Sequence, residues 1–180
     1  MTETKSKNTE KKKSSPVVYV GNDKIELATN ELATISQVNL LASKTPQKYI
    51  KKRKGRGKKE FDYVEINYVI AKLNAIFGFN WSVEILDKEI GKDKIFVQVR
   101  LKVQFENGRE IYKDAFGGSD VKKSNEKVID IADDLKSAES DGIKKAASML
   151  GVAWDVYSGI TKAENNDNKK SAPEEKKEEY

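Results

Sequence analysis

The stretch QKYIKKRKGRGKKEFDY, residues 47–63, gathers the side chains best suited to chemistry in this sequence. Lysine and arginine crowd it and only Glu60 and Asp62 oppose them, a charge balance that suits a polyanionic partner. Each cation that neutralises a phosphate releases condensed counterions, which gives salt-sensitive affinity indifferent to sequence. Gly55 and Gly57 let the backbone come close to such a ligand. Tyr49, Phe61 and Tyr63 offer faces on which unpaired bases stack, worth about 1–3 kcal/mol per base. Charge joined to aromatic faces favours a single strand over a duplex. The same composition also fits a solvated basic linker whose aromatics belong to a neighbouring core. The GRG of KGRGK lacks the Gly-Lys-Ser/Thr ending of a phosphate-cradling nucleotide loop, which argues against ATP hydrolysis.

Histidine and cysteine are both absent from the 180 residues, which excludes disulfides, zinc fingers, Cys nucleophiles and Ser-His-Asp triads. A general base near neutral pH would have to be a perturbed carboxylate or lysine, so the balance shifts from enzyme towards binding protein, and no cofactor is expected. The acidic run Asp130, Asp133, Asp134, Glu139 and Asp141 is the one candidate for magnesium chemistry. On a helix Asp130 and Asp134 share a face, but Asp141 returns to it only two turns later, roughly 10 Å along the axis. The run therefore reads as the exposed charged face of an amphipathic helix, with no metal. Lys144 points away from that helix's apolar stripe and Lys145 sits at its edge, where they either complete a basic groove or are ordinary surface lysines. A second basic patch stands at Lys122 and Lys123.

The elements that must position these residues are legible in outline. Hydrophobic residues make up 37% and charged residues 35%, with a net charge of +5, so part of the chain must be solvated tail. Residues 1–16 and 162–180 are expected to be disordered, the first basic and the second acidic to mixed, around one domain at 17–161. VVYVGNDKIEL predicts a hairpin, and Leu32, Ile35, Val38 and Leu41 predict a helix with Asn30 as its cap. The basic stretch follows as a loop. Ile66, Val69, Ile70, Leu73, Ile76 and Phe77 fall on one face of a second helix that ends at Gly78. Three strands come next, joined in part by an Asn107-Gly108 turn. In the central one, Ile95, Val97, Val99, Leu101, Val103 and Phe105 alternate with polar residues. GSDVKKSNEK reads as a loop before a long helix with Ile131, Leu135, Ala138, Gly142, Ala146 and Met149 on its apolar face. The fold class is α+β, a three-stranded antiparallel sheet packed on a long helix. No apolar run is long enough to span a bilayer and the charged N-terminus lacks a signal peptide's apolar core, so an intracellular, cytoplasmic location is expected.

The order YIKKRKGRGKKEFDYVEINYVIAKLNAIFGFNWSVEI, then an Asn-Gly hairpin, then SDGIKKAASMLG, resembles the single-strand annealing proteins of the Rad52 family. The likeness runs from about Leu40 to Gly151 and is to the phage and bacterial (Sak-like) branch. It implies ATP-independent binding of single-stranded DNA and annealing of complementary strands in recombination or repair. The backbone would lie in a groove while bases stay free to pair. Arg53, ten residues before Tyr63, matches the family's loop arginine and tyrosine of an inner DNA groove. Lys144 and Lys145, directly after Asp141-Gly142-Ile143, match the basic pair on its long helix. Where eukaryotic members carry a further arginine this chain has Ser148, and Lys51, Lys52 or Arg56 is available to replace it, while Lys58 is counted with the same inner groove. Lys122 and Lys123 correspond to a second, outer site. The resemblance also implies a homo-oligomeric ring or helical filament, and a single-strand-binding protein is a further expected partner. Rival readings are a DNA-end-protecting protein without annealing, a magnesium-dependent nuclease and an RNA-binding protein.

Overall fold

The computed structural model describes residues 17–20, 23–26, 33–55 and 59–158. The expected tails, Asn30 and Leu32, and the candidate site residues Arg56 and Lys58 lie outside the described residues. Strands β1 (Val17–Val20) and β2 (Asp23–Glu26) pair antiparallel, as the sequence pattern predicts. Helix α1 (Ile35–Ala42) is capped not by Asn30 but by Thr34. Its hydroxyl accepts from the Gln37 N–H at 3.2 Å while the Gln37 side chain accepts from the Thr34 N–H at 3.3 Å. This reciprocal arrangement satisfies two amides that the helix itself leaves open. Gln37 then donates to the Ile76 carbonyl at 3.2 Å and ties α1 to the next helix.

The basic stretch is not a loop but the hairpin β3 (Ile50–Lys54) and β4 (Glu60–Val64), preceded by a single 3-10 turn at Gln47–Tyr49. Val64 is fully buried and Ile50 packs beside the core, so one end of the hairpin is anchored while its cations stay exposed. Helix α2 (Ile66–Phe77) buries Val69, Leu73, Ile76 and Phe77 and ends at Gly78, whose φ of +64° suits glycine.

Three long strands follow, β5 (Trp81–Ile90), β6 (Lys94–Gln104) and β7 (Glu110–Asp120), in the antiparallel order β5-β6-β7. Ile95, Val97, Val99, Leu101 and Val103 are buried on one face of β6, and Phe105 beyond its end meets Phe77 edge-to-face with ring centroids 5.4 Å apart. The pairing slips between Ile85 and Asp87, so Leu86 is a bulge and the alternation of β5 reverses beyond it. β7 runs through Gly118 to Asp120, further than its pattern suggests. The expected loop after it holds a small hairpin, β8 (Lys123–Ser124) and β9 (Lys127–Val128). Its two turn residues, Asn125 and Glu126, both have positive φ, the geometry of the tight turns that suit twisted strands.

Helix α3 (Ile131–Ser148) lies across the buried face of β6 and β7. Its seam is built from small residues: Ala138, Gly142, Ala146 and Ala147 are buried, and Gly142 meets Gly117 of β7. Two expectations fail here. Ile131 and Met149 are exposed, because a seam this narrow ends before the helix does, and Asp134 is fully buried rather than solvated. Asp134 accepts from the Lys122 N–H at 2.8 Å, so it fastens the segment after β7 to the helix. Asp130 caps α3, accepting from the Ala132 and Asp133 amides. Helix α4 (Trp154–Tyr157) closes the fold through buried Asp155, which accepts from the Thr45 N–H at 2.8 Å and the Thr45 hydroxyl at 2.7 Å.

Candidate nucleic-acid interface

The hairpin register places Lys51 opposite Tyr63 and Arg53 opposite Phe61, so these four share one face. Arg53 from that face, the end of β7 and α3 bound an open cleft of about 740 Å³, which Lys122, Lys136 and Lys144 also reach. The Lys144 ammonium lies 5.9 Å from the centroid of the Tyr63 ring. Burial lowers the Lys144 pKa; Asp141 opposes that shift, and the positive charges of Arg53 and Lys145 add to it. Removing a cation from water while facing it towards another is unfavourable unless an anion completes the arrangement.

The cleft's carboxylates do not supply that anion in full. Asp133 pairs with Lys136 at 3.3 Å, and Asp141 pairs with Lys145 at 2.7 Å and accepts from the Gly118 N–H at 3.2 Å. Asp120 pairs with Lys94. Among the described residues, neither Arg53 nor Lys144 has an ion-pair partner. A bound phosphate would supply the missing charge, and Arg53 could hold it bidentately.

The other candidate residues are dispersed. Lys51 turns to Glu65 and lines a separate apolar cleft with Tyr68, whose ring stacks at a tilt on Tyr49, 4.8 Å between centroids. Lys52 faces Glu60 at 3.6 Å across the hairpin. Lys145 diverges from Lys144, donating to Asp141 and to the Phe116 carbonyl. Lys122 and Lys123 separate: Lys122 lines the same cleft as Arg53 and Lys144, its ammonium paired with Asp134 at 3.2 Å, while Lys123 pairs with Asp93 at 2.5 Å. The expected outer pair is thus split, one member standing with the inner set. The acidic run is also dispersed, and among the described residues no three acidic side chains converge where they could hold a metal.

Three contributors escape the sequence reading. Lys136 and Ser140 reach the cleft because they precede Lys144 by two helical turns and one, a spacing visible in the sequence. Tyr157 reaches the same region from α4. Burial raises its phenol to about 12, against a backbone hydrogen bond with Val64, and it also feels the charges of Asp141 and Arg53. No sequence signal marks it, since only the tertiary fold brings α4 to β4.

No curated protein matches the chain. Residues 33–177 match the model of the Rad52/22 family double-strand break repair protein, a span that takes in the basic hairpin, the sheet and the long helix. On that match, and with the α+β fold already described, the chain belongs to the Rad52/22 family, whose members are DNA-binding, strand-annealing proteins of recombination and repair.

Proposed function

We propose that this protein binds single-stranded DNA along the Arg53–Lys144 cleft and anneals complementary strands without consuming ATP. The observation that carries the reading is a pair of cations, one on the hairpin and one on α3, that face one cleft with no carboxylate partner among the described residues. Arg53 and Lys144 take the phosphates, and the Tyr63 ring stands 5.9 Å from the Lys144 ammonium. Neutralising the backbone removes the repulsion between two strands, and the bases are left to pair. The ordered likeness of YIKKRKGRGKKEFDY, the α2 segment and SDGIKKAASMLG supports placing it in the phage and bacterial branch.

Family members form oligomeric rings. The same habit in this chain, as a ring or helical filament, is supported by the exposed apolar residues Ile85, Leu86 and Ile90 on edge strand β5. An open edge carrying apolar side chains is a liability in a monomer and an asset in an assembly.

The groove is tested by titrating a labelled single strand with the protein at several salt concentrations. Arg53→Ala and Lys144→Ala are each expected to weaken binding and to reduce the slope of log affinity against log salt by about 0.7 per lost phosphate contact. Unchanged affinity and slope in both variants would place the strand elsewhere.

A further inference from the structure

Beyond the groove lies a second cleft of about 340 Å³, and the two share the Gly118–Asp120 segment and Asp141 as a common wall. Its chemistry differs. The cations that line it, Lys94 and Lys145, are paired with Asp120 and Asp141, so it has no charge to spend on a second phosphate. What it presents instead is two rings. Phe96 is 48% exposed and Phe116 63% exposed, both on the sheet face turned away from α3.

The register explains how they come together. Phe96 stands opposite Gly118 and Phe116 opposite Gln98, so the two rings are diagonal neighbours on adjacent strands. Gly118 leaves the space beside Phe96 open, since a Cβ there would sit 3.7 Å from that ring. Lys145 donates to the Phe116 carbonyl at 3.2 Å and holds the backbone under the second ring. Two aromatic faces beside a phosphate-binding groove, in a cleft whose charges are balanced, fit an uncharged planar ligand tethered to phosphates.

We propose that Phe96 and Phe116 form a stacking platform for unpaired bases of the strand whose phosphates lie in the Arg53–Lys144 groove. Stacking uses the face of a base and leaves its pairing edge free, so the platform does not oppose annealing. The inference rests on the groove reading above and adds to it where the bases go.

The test uses the full chain and two labelled probes of equal length: an oligothymidylate, and an abasic oligomer that keeps the phosphates and lacks the bases. Phe96→Ala and Phe116→Ala are each expected to weaken oligothymidylate binding about tenfold, to leave the salt slope unchanged and to leave abasic binding unchanged. Phe96→Tyr and Phe116→Tyr keep the ring and should restore affinity, which guards against a folding defect in the alanine variants. Arg53→Ala serves as the arm for the groove itself and should weaken both probes. Oligothymidylate affinity unchanged in the phenylalanine variants overturns the platform while leaving the groove intact. Equal loss on both probes also overturns it, as does loss accompanied by a changed assembly mass in sedimentation, which would assign the rings to a contact between copies.

Discussion

Gly117→Ala should be among the most damaging single-methyl additions to this fold. A Cβ at Gly117 would overlap the Ala138 carbonyl oxygen and the Gly142 amide nitrogen outright, and would lie 2.8 Å from the Gly142 Cα. Ordinary contact begins near 3.4 Å, so the last of these alone requires α3 and β7 to part by 0.6 Å, and the first two require more. All three obstacles are backbone, and none can rotate away. Overpacking of this kind costs about 1–3 kcal/mol, and the absence of a flexible neighbour puts this site at the upper end. For a domain of this size about 3 kcal/mol corresponds to a fall in melting temperature of roughly 6–12 °C. Lys144 lies two residues beyond Gly142, so the displaced helix should also draw it away from Arg53 and weaken single-strand binding. Thermal denaturation of the full chain tests this beside Gly118→Ala, an internal control one residue away. There the added methyl would meet nothing closer than 3.6 Å and should shift melting by about 1 °C or less. Equal melting temperatures for the two variants would refute the packing argument for the glycine seam.

Two further outcomes follow from the buried and half-buried charges. Burial, together with Arg53 and Lys145 and against Asp141, holds Lys144 below the ordinary lysine value of 10.5. It is a full cation below its folded pKa and loses charge as pH rises through that value, so single-strand affinity should decline on the alkaline side before ordinary lysines titrate. Lys144→Arg, which stays protonated, should flatten this limb, and superimposable pH profiles for the two proteins would contradict the assignment. Asp155→Ala removes both acceptors of Thr45 and leaves a buried N–H unsatisfied, so urea denaturation should show a loss of about 3 kcal/mol.

The sheet and helices were legible where burial imposes a period. Ile95 to Phe105 alternate because one face of β6 lies against α3 and the other faces water, and Asn107-Gly108 marks its turn because Gly108 adopts a φ of +81°. The basic hairpin was not legible as strands. Lys51, Lys52, Arg53 and Lys54 are all exposed, so no alternation of burial exists to be read, and only Ile50 and Val64 betray the pairing. Asp134 was misread for a related reason. Its burial depends on the Lys122 amide, twelve residues earlier and outside any helical period. The same holds for the site. The types and order of Arg53, Tyr63 and Lys144 were visible, and so was the helical spacing of Lys136, but the divergence of Lys144 from Lys145 and the approach of Lys122 and Tyr157 are set by tertiary packing.

The central claim is tested most directly by the rate at which two labelled complementary strands pair, with and without the protein, in the absence of nucleotide and metal. The account predicts a large acceleration by the full chain that Arg53→Ala and Lys144→Ala each abolish. Pairing no faster than for the free strands, at protein concentrations that saturate both, would contradict annealing and leave a protein that binds and covers single-stranded DNA.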